Sequence, residues 1–203
     1  MLTSTQIFAF LFLMLGPFKI LGPYTAITRN ADSKLARQIA LRAILFASIS
    51  LLVAAVLGEQ IISNFGIQLP ILALAAGIIL FLVALMNILQ QYTPSAPQDG
   101  NVAPPTMNLA VSPLAFPIIV TPYGIAAVII FLALSPDLHS QLIIGAFVLV
   151  IMALNLVFML VNKYIFKVLA VVLPILGAIL GVVQVALGVK VIYNSITQLL
   201  STN

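Results

Sequence analysis

Leu15-Gly16-Pro17-Phe18-Lys19-Ile20-Leu21-Gly22-Pro23-Tyr24 and Pro113-Leu114-Ala115-Phe116-Pro117-Ile118-Ile119-Val120-Thr121-Pro122-Tyr123-Gly124 are the stretches on which the fold turns. Each lies inside an apolar run long enough to cross a bilayer. Each carries closely spaced prolines followed by a tyrosine. A proline inside a helix loses a backbone hydrogen bond and clashes with the preceding turn. The spacing predicts unwinding over Gly16–Pro23 and around Pro117–Pro122. Unwound backbone at membrane depth is tolerated only where protein buries it or where it lines a cavity. Two such breaks, in corresponding places of two half-chains, mark the binding site of a secondary transporter.

Composition fixes the solvent. The chain has 203 residues, 63% hydrophobic and 6% charged, with a mean hydropathy of +1.27. A water-soluble surface carries far more charge than that, so the chain reads as an integral membrane protein. The absence of cysteine excludes disulfides, thiolate catalysis and Cys-ligated metals. The net charge of +4 does not point to nucleic acid, because in membrane proteins Lys and Arg mark cytoplasmic loops. No Lys or Arg precedes the first apolar run, so no signal peptide is expected.

A spanning helix needs about 20 mostly apolar residues, and six stretches qualify. They are Thr5–Ile27, broken at Gly16–Pro23; the helix after Asp32 or Ser33, either a suitable N-cap; Leu69–Leu89; Met107–Leu134, broken around Pro117–Pro122; Leu142–Val161; and Val168–Ile192. Gly58–Ile67 reads as an amphipathic connection. Gln90–Thr106, with its prolines, reads as a linker. Ser135–His139 reads as a turn, and Asn162–Lys167 as a short basic loop.

Orientation follows from charge. Arg29, Lys34, Arg37 and Arg42 follow the first span, and Lys163 and Lys167 the fifth, on one side of a six-span chain. The opposite loops hold Glu59, Asp137 and His139 without Lys or Arg. The basic loops are expected in the cytoplasm, with both termini outside.

The halves repeat. Leu69-Pro70-Ile71-Leu72, then Gly77, recurs as Leu173-Pro174-Ile175-Leu176, then Gly181, at the same spacing. Three spans per half give the halves opposite orientations. The expected fold is therefore an all-α integral membrane domain. It comprises two inverted three-helix repeats, 1–89 and 107–203, joined by a cytoplasmic linker, 90–106, with the first and fourth spans broken near the midplane. Gly177, Gly181 and Gly188, with Ala73 and Gly77, follow a spacing suited to close helix packing.

Three segments carry a family pattern. One is Gly58, Phe65-Gly66-Ile67 and Ala75-Ala76-Gly77-Ile78. The second is Pro113–Ile125. The third is Gly16–Thr28. In them the chain resembles the MarC/SnatA family of six-span membrane proteins, classed as neutral amino acid transporters and related to LysE-type exporters. The resemblance covers nearly the whole chain. It implies a small neutral amino acid as substrate and proton coupling. The departures fall on the motifs: Gly16 stands where the family has Asn or Asp, Lys19 where it has Gly, and Gly22 where it has Pro. Thr121-Pro122-Tyr123 replaces its Gly-Pro-Gly.

The candidate substrate site is Gly16, Pro17, Lys19, Gly22 and Tyr24 with Thr121, Pro122, Tyr123 and Gly124. Freed amides at a half-helix start suit a carboxylate, and freed carbonyls suit an ammonium group or a cation. Lys19 lies inside the first span, where an uncompensated Lys costs about 2.5–3.5 kcal/mol. It binds an anionic group, carries a coupling proton, snorkels to an interface, or donates to carbonyls freed by the prolines. Thr121 sits at a break and is the favoured polar contact. Tyr24 and Tyr123 line the cavity or anchor at an interface. Asn87, Asn108, Ser112, Asn155 and Gln184 lie at span depth, where such side chains usually bond between helices. No paired carboxylates or His clusters lie within spans, so no enzyme, metal or cofactor is expected. The expected partners are a small-molecule substrate, membrane lipid and a coupling proton or cation. A homo-oligomer is compatible and nucleic acid is not. The plasma (inner) membrane is the expected location. An organic anion carrier working through Lys19 and a non-transporting scaffold are the competing readings.

Overall fold

The computed structural model describes residues 4–92, 105–135 and 137–201, and all the regular structure among them is helical. Residues 93–104 of the expected linker, and the side chains of Gln6, Glu59, 61–63, Asn87, 90–92, 164–174 and Leu176, lie outside the described residues.

The first span is two helices, α1 (Ser4–Leu15) and α2 (Phe18–Thr28). The break is confined to Gly16–Pro17, shorter than the expected Gly16–Pro23. Pro23 sits inside α2, where it forfeits one ladder bond without ending the helix. At Gly16 a Cβ would lie 2.1 Å from the Phe12 carbonyl oxygen, so the chain turns there only as glycine.

Helix α3 (Ser33–Asn64) begins as expected: the Leu35 amide donates to Asp32 Oδ1 at 2.9 Å. It runs on through most of the expected connection and ends before Gly66, whose φ of +62° is left-handed. Helix α4 (Leu69–Tyr92) has Pro70 in its first turn, where no amide is needed.

The fourth span is bent by 60°. A short 3₁₀ turn, Met107–Ala110, leads into Val111–Ile119, where Ser112 and Phe116 are extended and the bonds before Pro113 and Pro117 are cis. Val120 and Thr121 are also extended, and α5 (Pro122–Ala133) follows.

Helix α6 (Leu138–Ser201) starts within the expected Ser135–His139 turn, and it replaces the expected Asn162–Lys167 loop between the last two spans with continuous helical backbone. Asp137 caps its start, accepting from the Ser140 amide at 2.8 Å. Residues 162–167 contain no Gly or Pro to stop a helix, and charge alone does not. The helix nevertheless folds back on itself. Asn155 donates to the Leu15 carbonyl, and Gln184 to the Leu13 carbonyl. A straight helix would hold residues 155 and 184 about 43 Å apart, so α6 reverses between them and contributes two spans.

Those spans are Leu138–Lys163 and Gly177–Ser201. With Ile7–Thr28, Ser33–Gly58, Leu69–Met86 and the bent pair Met107–Ile119 and Pro122–Ala133, they make six by length and composition. Outward-facing Leu52, Leu142, Leu149 and Val182 are each more than half exposed, an apolar surface suited to lipid.

The sequence-matched third helices of the two halves pack together. A Cβ on Gly77 would lie 3.2 Å from the Gly188 carbonyl oxygen, and one on Gly188 would lie 2.9 Å from the Phe81 amide nitrogen. Gly181 packs on Ile88. This is the expected small-residue interface, except at Gly177, where nothing lies within 4 Å of a Cβ.

Candidate functional site

The two breaks meet. α1 ends at Leu15, leaving its last carbonyls without intrahelical donors, and Pro17 has no amide to offer Leu13. Three side chains take their place. Gln184 Nε2 donates to the Leu13 carbonyl at 3.1 Å. Asn155 Nδ2 donates to the Leu15 carbonyl at 2.8 Å. Lys19 Nζ donates to the Met14 carbonyl.

Lys19 also crosses to the second break. Its Nζ donates to the Ile119 carbonyl at 3.2 Å and lies 5.7 Å from the centre of the Tyr123 ring. One ammonium thus ties a carbonyl of the first break to a carbonyl of the second. A cation suits this place, because helix C-termini carry partial negative charge and an aromatic face attracts it.

Thr121 serves the backbone. Its Oγ1 accepts from the Gly124 amide at 3.1 Å, capping α5, with Pro122 at the first helical position. Gly124 lets α5 press on the end of α1: a Cβ there would lie 2.7 Å from Leu15 Cδ2. Gly16 and Pro17 are buried in the junction. Pro122 is exposed, and so is Gly22, with nothing within 4 Å of a Cβ.

Two cavities lie at opposite ends of the first span, and the second reaches the junction at Leu13, Met14 and Tyr123. One, about 650 Å³, is lined by Tyr24, Thr25 and Arg29 at the end of α2, Arg37 of α3, and Asn162 and Lys163 of α6. The other, about 780 Å³, is lined by Phe8 and Met14 of α1, Tyr123 and Phe131 of α5, and Lys190 of α6. Tyr24 and Tyr123 therefore stand in different cavities. Both are buried, and Tyr24 donates to the Ala36 carbonyl at 3.0 Å. Lys19 and Thr121 line neither cavity.

Two buried acceptors stay open: Asn155 Oδ1 at the junction and Asn162 Oδ1 beside the first cavity. Asn155 and Gln184 do bond between helices, as polar side chains at span depth usually do, but their target was not legible. Only the pairing with α1's carbonyls reveals it. Thr25, Asn162 and the cavity face of Arg29, Arg37 and Lys163 escaped sequence reasoning, which took the basic residues as orientation signals alone.

Over residues 2–200 the chain matches the family described as MarC family integral membrane protein. The chain belongs to that family. It is 28% identical over 138 residues to a UPF0056 membrane protein of Methanocaldococcus jannaschii, covering 68% of this chain and 67% of the relative. It is 27% identical over 135 residues to the UPF0056 inner membrane protein YhgN of Escherichia coli, covering 66% of each. A UPF0056 membrane protein of Archaeoglobus fulgidus is 28% identical over 142 residues, 68% of this chain and 65% of the relative. The matches span about two thirds of the length of these curated relatives. No solved structure matches significantly. Membership of the MarC family and the six apolar helical stretches together make this an integral, multi-pass membrane protein.

Proposed function

We propose that the chain is a secondary transporter of a small neutral amino acid, proton-coupled, and not an enzyme. The observation that carries this is a pair of cavities at opposite ends of the first span, with the junction of two broken helices along the span between them. A kinked scaffold has no need of cavities at both ends of the same span. Alternating access needs both, with a plug that opens to one at a time.

In this reading the halves 1–89 and 107–203 are inverted repeats that rock against each other. The contact of Gly77 with Gly188 supports the pairing of their third helices. Rocking breaks the bond from Lys19 to Ile119 and uncovers the junction. There Asn155 Oδ1 offers an acceptor to an ammonium group, and the capped start of α5 attracts a carboxylate. Lys19 acts as a latch. Its engagement with two carbonyls weighs against its binding an organic anion directly. The basic residues at the ends of spans support an inner-membrane topology with that face in the cytoplasm.

The test is radiolabelled uptake in proteoliposomes across a panel of neutral amino acids, with and without a pH gradient. Uptake of a neutral amino acid that responds to the proton gradient is expected. No movement of any solute under any gradient would leave the scaffold reading in its place.

A further inference from the structure

The second cavity holds the one cation that charge segregation leaves over. Arg29, Lys34, Arg37, Arg42, Lys163 and Lys167 follow the first span or the fifth, and Lys19 bridges the breaks. Lys190 completes the set of 8. It lines the cavity found where α1 and α4 begin and α5 ends, together with Thr5, Leu69 and Leu134. That end of the bundle is opposite the other cations, so positive-inside orientation does not account for Lys190. Among the described residues no carboxylate lines the cavity, and Lys190 has no ion-pair partner.

A second observation is its depth. Gly188 packs against Gly77, well inside α4, which puts Lys190 about 10 Å inward of Leu69 at the helical rise. A cation at that depth on a spanning helix is costly and points to a function. Asn194 and Gln198 continue from it at i+4 and i+8, along one face of α6, and line the same cavity. They form a polar track from the helix end to the ammonium. Beyond Lys190 the wall turns apolar. Gln184 bonds the Leu13 carbonyl, so Leu13 and Met14 lie about 9 Å deeper than Lys190. They share the floor of the cavity with Leu80, Tyr123, Ala127 and Leu187. Snorkelling explains how Lys190 tolerates its depth, but neither the track above it nor the apolar floor below.

We propose that this cavity binds an apolar monocarboxylate, its carboxylate on Lys190 and Asn194 and its body on the floor against Leu13, Met14 and Tyr123. A cavity of about 780 Å³ falls within the range of small-molecule sites, which are mostly apolar with a few polar groups that fix orientation. Phe8, Phe12 and Phe131 also line it, and aromatic walls favour a ring. A neutral amino acid is the wrong ligand for this place, because its ammonium meets Lys190 with no carboxylate to balance it. The site stands apart from the transport reading, since neither the cavity nor Lys190 depends on it.

Isothermal titration of the full chain in phosphatidylcholine nanodiscs tests this with phenylbutyrate, phenylbutylamine and butyrate, empty nanodiscs giving the partition background. Phenylbutyrate is expected to bind saturably. It should bind at least about tenfold more tightly than the amine, which carries the wrong charge, and than butyrate, which lacks the ring. Lys190→Gln, on an exposed position, weakens phenylbutyrate about tenfold and removes its advantage over the amine. No saturable binding of phenylbutyrate overturns the site. Equal binding of acid and amine to the wild type does so too, as does phenylbutyrate binding that Lys190→Gln leaves unchanged. A diazirine on the ring locates the body in the wild type, whatever the variant does to folding. Label at Leu13, Met14 or Tyr123 supports the site. Label confined to outward-facing residues such as Leu52 and Leu149 overturns it.

Discussion

At Gly16–Pro17 the first span stops and restarts within two residues, whereas the fourth is irregular from Val111 to Thr121 and bends by 60°. The first break relies on distant residues for its donors. Gln184 and Asn155 come from α6, and only Lys19 is local. The second takes one distant donor, Lys19 on the Ile119 carbonyl, and otherwise closes itself, Thr121 capping the helix it introduces and Val120 donating to the Ala115 carbonyl at 2.9 Å. A short break saves backbone irregularity but leaves polar groups for tertiary structure to satisfy. A long one satisfies more of its own. The first break should therefore be the more fragile.

The largest effect is expected at Gly16. Gly16→Ala drives a methyl group into the Phe12 backbone, and backbone cannot swing aside. A loss of about 3 kcal/mol is expected, the upper end for overpacking, read as a drop in melting temperature in detergent. Gly22→Ala, with nothing within 4 Å of the new methyl beyond its chain neighbours, serves as the control: its one new contact is with the Pro23 ring, and a loss well below that at Gly16 is expected. Equal losses at the two glycines would end the claim that the break lies at Gly16–Pro17.

Lys19 comes next, because it belongs to both breaks. Lys19→Met keeps the apolar stem and strips donors from the Met14 and Ile119 carbonyls. About 2 kcal/mol is expected for a charged donor lost from buried acceptors. Thr121→Val removes only the cap of α5, for about 1 kcal/mol, and Thr121→Ser restores it. If Thr121→Val costs more than Lys19→Met under equilibrium unfolding, the cap within the second break outweighs the bridge between the two and the comparison reverses.

The spans were legible because burial in lipid demands long apolar runs, and the breaks because proline has a fixed consequence. The extent of each break was not. Pro17 and Pro23 look alike in sequence, yet only Pro17 sits where Gly16 permits a turn. The reversal in α6 was legible as two apolar runs with charge between them, but residues 162–167 stay helical for lack of a breaker. At the site, Lys19 was singled out by its cost in a membrane. Its partners were not, because carbonyls carry no signature in the side-chain sequence. Nor does sequence show that Tyr24 and Tyr123, which match in position, open on different cavities. Asn162 was hidden for the same reason: an amide in a basic loop looks solvated until Thr25 is found beside it.

The smallest effect lies outside the breaks and isolates them. Among the described residues the donors that hold the breaks are Lys, Asn, Gln and backbone amides, and no carboxylate takes part. The start of α6 differs, because Asp137 caps it. The Ser140 amide, then the Ser140 hydroxyl, hold the Asp137 carboxyl below its ordinary value of 3.8. The unfolded chain therefore takes up this proton at a higher pH than the folded chain does. The stability Asp137 contributes is complete above the ordinary value and is lost as pH falls through the lowered one. Because the group is fully exposed, the loss is small, and Asp137→Asn, which keeps a neutral cap, should remove it. The measurement is the difference in melting temperature between wild type and Asp137→Asn at neutral pH and near pH 3. It should shrink on acidification, while the deficit of Thr121→Val, whose hydroxyl does not titrate, stays constant. A deficit of Thr121→Val that grew or shrank with Asp137 would mean that the second break leans on the loop beyond α5 as well as on Lys19.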